Sequence, residues 1–259
     1  MGINFNPWRL LTGSVPQIQL NNRYSVPFGN NIGQDSFQNN SVERFFDEKY
    51  IMAMIKQNSE LKNILSKNKI PVRLNMNELM ELKHGHCKDS AEICAKIYKV
   101  LPQSLKSQVN IKDLKDGAML HDFGKVLIPP EILNKHGKLT EEELKIMKLH
   151  SELGYQLLKN TGINNEVLSL VRNHHDNVNN KNFVPDINLQ VLNLADRYSA
   201  LTESRVYKRA LTPQQALTII HKDVEQGHVH PILYKALIEA VNNNPQNKMP
   251  LKSVSVSRV

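Results

Sequence analysis

Residues 119 to 125 read Met-Leu-His-Asp-Phe-Gly-Lys. An apolar run, Ala118-Met119-Leu120, ends in an imidazole beside a carboxylate, His121 and Asp122, with Lys125 three residues on. Polar groups cost free energy when buried without partners, so this pair must be answered by something. Similar residues recur along the chain. His86 is in helical phase with Ser90, Ile93 and Ile97, an apolar stripe, whereas His84 phases with Lys88, Ala91 and Ala95. His150 follows Ile146, Met147 and Leu149 and precedes Leu153 and Leu157; His174 and His175 end the run "VLSLVRN"; Asp196 stands among Leu192, Leu194 and Ala195. Taken singly, each has an ordinary reading as a hydrogen-bonded core or rim residue. Together, five imidazoles and two carboxylates on the inward faces of one small bundle cannot satisfy one another cheaply. Neutral imidazole and carboxylate are natural ligands of a divalent cation.

Spacing adds a constraint. Adjacent residues of a helix point about 100° apart, so His121 and Asp122 share a site only if it lies between their two directions, and the same holds for His174 and His175. Two cations close together, bridged by Asp122, meet that demand. Helical bundles build dinuclear sites of this kind from side chains on facing helices.

The elements that must position these groups read as helices. The chain has 259 residues, 40% of them hydrophobic and only 11 of them glycine, and it shows no long alternating run; the expectation is an all-α fold. Apolar periodicity marks residues 41–57, with Phe45, Ile51, Met54 and Ile55 in phase. A long amphipathic helix is expected over 74–101 and a shorter one over 111–124, stopped near Gly124 and Pro129-Pro130. Another is expected over 139–160, opened by Thr140 and Glu143 at capping-box spacing. Four more follow, over 164–176, 187–203, 212–223 and 230–244. The expected organisation is a poorly ordered Asn-rich arm at 1–41, helices of no assigned role at 42–75, the helical domain at 76–245 and a flexible tail at 246–259.

The bulk properties exclude several classes. A net charge of +8 suits phosphate-bearing ligands. It is dispersed, however, and no helix interleaves basic and aromatic residues, so nucleic acid is not an expected partner. No stretch of about 18 apolar residues is present, so no membrane span is expected, and the N-terminus lacks a secretory pattern. A cytoplasmic protein is the expectation. Cys87 and Cys94, the two cysteines, fall in one helical segment. Seven residues of helix rise about 10.5 Å, beyond the roughly 7 Å that a disulfide spans between Cα atoms, so both are read as reduced.

The ordered motifs resemble the HD superfamily of metal-dependent phosphohydrolases, and its HD-GYP branch in particular. The segments are "HDFGKVLIPPEILNKHGKLTEEELKIMKLHSELG" (121–154), "NHHD" (173–176) and "LADRYSALTESRVYKRALTPQQAL" (194–217). The resemblance implies an HD-domain helical bundle with a dinuclear metal site in its core. His86, His121, Asp122 and Asp196 would hold one ion, and Asp122, His150, His174 and His175 the other, with Fe or Mn favoured. It also implies that Lys125, Arg205 and Lys208 contact substrate phosphate, with Asp122 and Lys125 the catalytic pair. The activity implied is hydrolysis of a cyclic dinucleotide or related nucleotide phosphodiester by a metal-bridging hydroxide.

Three departures qualify this. The Gly-Tyr-Pro signature is missing, "NVNNKNFVPDINL" standing in its place. Leu82 occupies the position where some members carry a glutamate for a third metal, so two ions are expected. No receiver or other sensor domain is expected in the residues before the helices. Two alternatives therefore stay open: a nucleotide-binding sensor module with weak or no turnover, and a nucleotide phosphomonoesterase. The expected partner is a small-molecule nucleotide phosphodiester, with homodimerisation left open.

Overall fold

The computed structural model describes residues 42–175, 186–204 and 210–242; the expected arm at 1–41 and tail at 246–259 lie outside these. The regular structure among the described residues is helical. The α-helices are α1 (Glu48–Gln57), α2 (Ser59–Lys67), α3 (Met76–His84), α4 (His86–Val100), α5 (Gln103–Lys106), α6 (Ile111–Leu120) and α7 (Pro130–Leu133). They continue with α8 (Glu141–Lys148), α9 (His150–Leu158), α10 (Asn165–Asn173), α11 (Ile187–Thr202), α12 (Pro213–Glu225) and α13 (Pro231–Asn242). Two 3-10 turns, Glu43–Phe46 and Phe123–Leu127, complete the set. None of these helices is long and apolar enough to cross a membrane.

The apolar stripes meet in two cores. One joins α4, α6, α11, α12 and α13 through residues such as Cys94, Ile97, Leu114, Leu192, Ile220 and Leu237. The other joins Phe45, Ile51 and Leu61, from the first turn and α1–α2, to Phe123, Leu153 and Leu157. Each fully buried side chain of this kind contributes about 1.5–3 kcal/mol. Helices α6 and α10 belong to both cores: Leu114, Ala118 and Leu170 enter the first, and Leu120, Leu168 and Val171 the second. Their C-terminal ends carry His121-Asp122 and His174-His175 into the seam between the two.

Several local features match the pattern read from the sequence. His86, Ser90, Ile93 and Ile97 are all buried on one stripe of α4, and both cysteines are free and buried. Thr140 and Glu143 form a reciprocal capping box at the start of α8, with Lys135 donating to the Glu143 carboxylate at 2.6 Å. Thr140→Ala should remove about 1 kcal/mol of stability, read as a melting temperature about 2–4 °C lower, with metal content unchanged.

Three expected helical segments are interrupted, and these are corrections: 41–57 breaks at Asp47, extended between the first 3-10 turn and α1, and two others are broken within their length. The segment 74–101 breaks at Gly85, whose φ and ψ are both −106°, outside the helical region. The segment 139–160 is tightened at Leu149, whose N–H donates to Ile146 and Met147 carbonyls, and His150 begins a new helix. Apolar periodicity runs through both points, because one irregular residue changes the direction of the axis without removing the stripe.

Candidate metal centre

His121 follows the last turn of α6, Asp122 caps the 3-10 turn Phe123–Leu127, and His150 opens α9. His174 caps α10, with His175 next to it, while His86 opens α4 and Asp196 lies within α11. His86, His121, Asp122, His150 and His174 are each 1–3% exposed; the Asp196 side chain is 20% exposed, and His175 faces solvent. Helix ends supply six of the seven groups, and there is a physical reason. The last carbonyls of a helix have no intrahelical donor, and an imidazole placed three residues on can supply one. His121 Nδ1 lies 2.7 Å from the Ala118 carbonyl, His150 Nδ1 2.7 Å from Met147 and His174 Nδ1 2.8 Å from Val171.

Those three contacts determine where the lone pairs point. A carbonyl only accepts, so each Nδ1 carries hydrogen and, in the neutral ring, each Nε2 is bare. The bare atoms converge. His150 Nε2 lies 3.0 Å from His174 Nε2 and 3.0 Å from His175 Nε2. It is also 3.3 Å from Asp122 Oδ1, which has His174 Nε2 at 3.9 Å. Asp122 Oδ2 faces the other way, toward His121 Nε2 at 3.5 Å, His86 Nε2 at 3.8 Å and Lys125 Nζ at 2.6 Å. Asp196 Oδ1 lies 2.8 Å from His86 Nε2 and 3.7 Å from His121 Nε2.

His121 Nε2 is buried without a hydrogen-bond partner. Lone pairs facing lone pairs and carboxylates repel one another, and a cation reverses the sign of that interaction. Two sets, His86–His121–Asp122 and His150–His174–His175, each bring one ligand atom per residue within 4.8 Å of the others. The residues fit divalent metal, and Asp122 presents one oxygen to each set.

Charge follows the same division. Burial lowers the His150 pKa to about 4 against the opposing Asp122 carboxylate. Burial and the neighbouring imidazoles hold His174 well below its ordinary value. Burial would lower His121 too, but the Asp122 carboxylate carries it well above. Burial would raise Asp122, and the Lys125 ammonium and His121 instead hold it well below the carboxylate range. Burial disfavours the Lys125 ammonium, yet Asp122 raises its pKa and keeps it charged.

For the metal-stripped protein this gives a pH dependence with a definite sign. His150 and His174 bind protons less readily folded than unfolded, so their contribution is complete above about pH 6.5 and is lost as pH falls below it. His150 alone accounts for about 3 kcal/mol lost by pH 4. His121 acts in a separate window, its contribution being full below about pH 6.5 and lost as pH rises through its folded value. Denaturant melts of stripped protein should therefore weaken steeply between pH 6.5 and 4, and a flat profile there would contradict the assignment.

Of the remaining residues singled out from the sequence, Lys125 reaches Asp122 and thus the centre itself. Arg205 and Lys208 lie outside the described residues, as do residues 177–185 of the stretch 177–189 read in place of the Gly-Tyr-Pro loop; its last residues, Asp186 to Leu189, cap and open α11. His84 is exposed. Sequence reading missed a cavity of about 300 Å³ that opens beside His174, His175 and Asp196. Its walls include Gln190, Arg197, Asp223, His228 and Leu233, with Arg197 bound to Asp223 through Nε–Oδ2 at 2.7 Å and Nη2–Oδ1 at 3.0 Å. It also missed Ser199, whose hydroxyl lies 3.2 Å from His86 Nδ1.

Comparison with known proteins places this geometry. The family model described as HD domain matches residues 74–233, which include all seven groups. The cyclic di-GMP phosphodiesterase response regulator RpfG of Xanthomonas campestris is 32% identical over 127 residues, 44% of this chain and 33% of its own length. The 3'3'-cGAMP-specific phosphodiesterase 1 of Vibrio cholerae is 26% identical over 160 residues, 59% of this chain and 36% of its own. The chain thus spans about a third of the length of these curated relatives. A solved structure, the HD domain of the L. monocytogenes phosphodiesterase PgpH in complex with cyclic-di-AMP, aligns with a TM-score of 0.48 and 18% identity over 66% of this chain and 98% of that one. The family match runs over more than half of the sequence, and the chain belongs to the HD-domain family.

Proposed function

We propose that this chain is a metal-dependent phosphohydrolase, a phosphodiesterase that hydrolyses a cyclic dinucleotide or a related nucleotide phosphodiester. The observation that carries the reading is Asp122, one oxygen toward His150 and His174 and the other toward His86 and His121. The names of the relatives, cyclic di-GMP and 3'3'-cGAMP phosphodiesterases, support the substrate class. In this reading His86, His121, Asp122 and Asp196 hold one cation, and Asp122, His150, His174 and His175 the other. When bound, the pair supplies Lewis acidity toward the phosphoryl group and lowers the pKa of a coordinated water. A donor set of imidazole and carboxylate suits Fe, Mn, Zn, Co or Ni, and the resemblance to the HD superfamily is the ground on which we favour Fe or Mn.

The chain's own groups have distinct tasks. The carbonyls of Ala118, Met147 and Val171 fix the orientation of three imidazoles, so the ligand atoms are in place before a cation arrives. Lys125, 2.6 Å from Asp122 and kept charged by it, would meet a substrate phosphate at the centre and offset charge on its non-bridging oxygens. Arg205 and Lys208, outside the described residues, are assigned the same task on the resemblance of their segment to the family. The cavity beside His174 and Asp196 receives a nucleotide portion of the substrate; at about 300 Å³ it is at the small end of ligand sites. The phosphohydrolase unit runs over 76–245, braced by residues 42–75 through the core they share with α9. A cytoplasmic location agrees with an intracellular nucleotide as substrate.

The test is turnover of a panel of cyclic and linear dinucleotides and of nucleoside monophosphates by protein reconstituted with Mn or Fe. Metal-dependent cleavage of a diester is the expected result. Nucleotide binding without turnover would replace this reading with a sensor module, and cleavage of monoesters alone with a phosphomonoesterase. Chelation should also lower stability. An ion present at about 100 times its dissociation constant contributes about 2.7 kcal/mol per site, so stripping should lower the melting temperature by about 5–10 °C per ion.

A further inference from the structure

Three of the buried imidazoles are oriented by main-chain carbonyls; His86 is not. It opens α4 directly after Gly85, whose φ and ψ of −106° turn the chain out of the path of α3, and the groups at its two nitrogens are side chains. One helix instead holds both of its nitrogens. On α11, Asp196 Oδ1 lies 2.8 Å from Nε2, and Ser199, one helical turn later on the same face, places its Oγ 3.2 Å from Nδ1. Ser199 is 2% exposed, and the Glu203 carboxylate stands behind it, 3.7 Å from Nδ1.

We propose that Ser199 is the positioning residue of the first metal ligand, and that its hydroxyl serves the two tautomers His86 needs with and without the ion. Without a cation, the 2.8 Å contact requires hydrogen on Nε2, which donates to Asp196; in the neutral ring Nδ1 is then bare and accepts from the Ser199 hydroxyl. To ligate, Nε2 must be bare, the hydrogen resides on Nδ1, and Nδ1 donates to the Ser199 oxygen. A hydroxyl both donates and accepts, whereas a carbonyl only accepts. His121, His150 and His174 are thereby locked in the ligating tautomer when neutral, and His86 is free to change between the two. Its counterpart Asp196 is also the more exposed of the two carboxylates, 20% against 3% for Asp122. The His86 side of the centre is accordingly the one on which the Ser199 hydroxyl acts.

This rests on the reading that the site holds metal, and the test measures ion binding so that it stands apart from turnover. Ser199→Ala, Ser199→Thr and wild type are stripped and titrated with Mn, following stoichiometry and affinity by calorimetry. Imidazole 15N shifts report the His86 tautomer. Loss of an outer partner of a ligating histidine typically weakens binding by about 10–100-fold. The expected result is that weakening for one of two ions in Ser199→Ala, near wild-type affinity for the other, and restoration in Ser199→Thr, which keeps the hydroxyl. The proposal fails if Ser199→Ala binds both ions as wild type does, if both ions weaken equally, or if Ser199→Thr, folded by circular dichroism, binds no better than the alanine variant. Wild type that binds two ions but cleaves no diester would overturn the proposed activity and leave this inference standing.

Discussion

Asp122→Asn should abolish hydrolysis and lower metal content from two ions to less than one. The amide keeps the volume of the carboxylate and removes its charge, so the change falls on electrostatics. Both halves of the centre lose by it, because Oδ1 faces His150 at 3.3 Å while Oδ2 faces His121 at 3.5 Å and Lys125 at 2.6 Å. Turnover should fall by three orders of magnitude or more, about 4 kcal/mol of transition-state stabilisation, in the range expected for metal assistance. Lys125 is left buried without its counter-charge, which is costly in itself, so the variant must first be shown to be folded. Asp116→Asn is the control: its carboxylate pairs with the exposed Lys112 at 2.9 Å in an i,i+4 contact, worth under about 1 kcal/mol. It should leave metal content and rate unchanged. Metal analysis beside turnover in excess Mn decides the matter; two ions and near-wild-type rate in Asp122→Asn would remove the bridging role.

What could be read from the chain alone, and what could not, divides along local and non-local physics. The candidate site residues were legible because each violates a local rule. An imidazole on the stripe with Ser90, Ile93 and Ile97, or a carboxylate among Leu192, Leu194 and Ala195, stands where an apolar residue belongs, and such violations concentrate at functional sites. Thr140 and Glu143 were legible for a related reason, since a capping box lies within four residues. The breaks at Gly85 and Leu149 were not. A helical period survives a one-residue interruption, and what the interruption does, turning His86 and His150 toward a common point, depends on elements far along the chain. Ser199 and the Arg197–Asp223 pair belong with these. Ser199 has meaning only once α11 lies along α4, and Arg197 only once α12 returns beside α11. Lys125 was recognised as part of the site, but its 2.6 Å contact with Asp122 came from the fold of the 3-10 turn that joins them.

Gly124→Ala should be among the most damaging single-methyl additions in this protein. The 3-10 turn that carries Lys125 runs so close to α9 that a Cβ on residue 124 would lie 1.9 Å from the His150 carbonyl oxygen, 2.9 Å from its carbonyl carbon and 2.5 Å from the Gly154 nitrogen. All three are backbone atoms, so no rotamer change relieves the contact; the turn and α9 must separate. Overpacking of this kind costs about 3 kcal/mol or more, read as a melting temperature about 6–12 °C lower. Separation also pulls Asp122 away from His150, whose ligand atoms are 3.3 Å apart. Metal affinity on the His150 side should then fall even in protein that remains folded at low temperature. The opposite glycine gives a graded comparison. A Cβ on residue 154 would meet the Gly124 nitrogen and Val171 Cγ1, each at 3.1 Å, contacts that a shift of a few tenths of an ångström relieves. Gly154→Ala should cost about 1 kcal/mol and keep both ions. Thermal melts with metal titration of the two variants test this order, and a Gly124→Ala protein as stable and as fully metallated as wild type would show that the turn and α9 are not held at the distance that aligns Asp122 with His150.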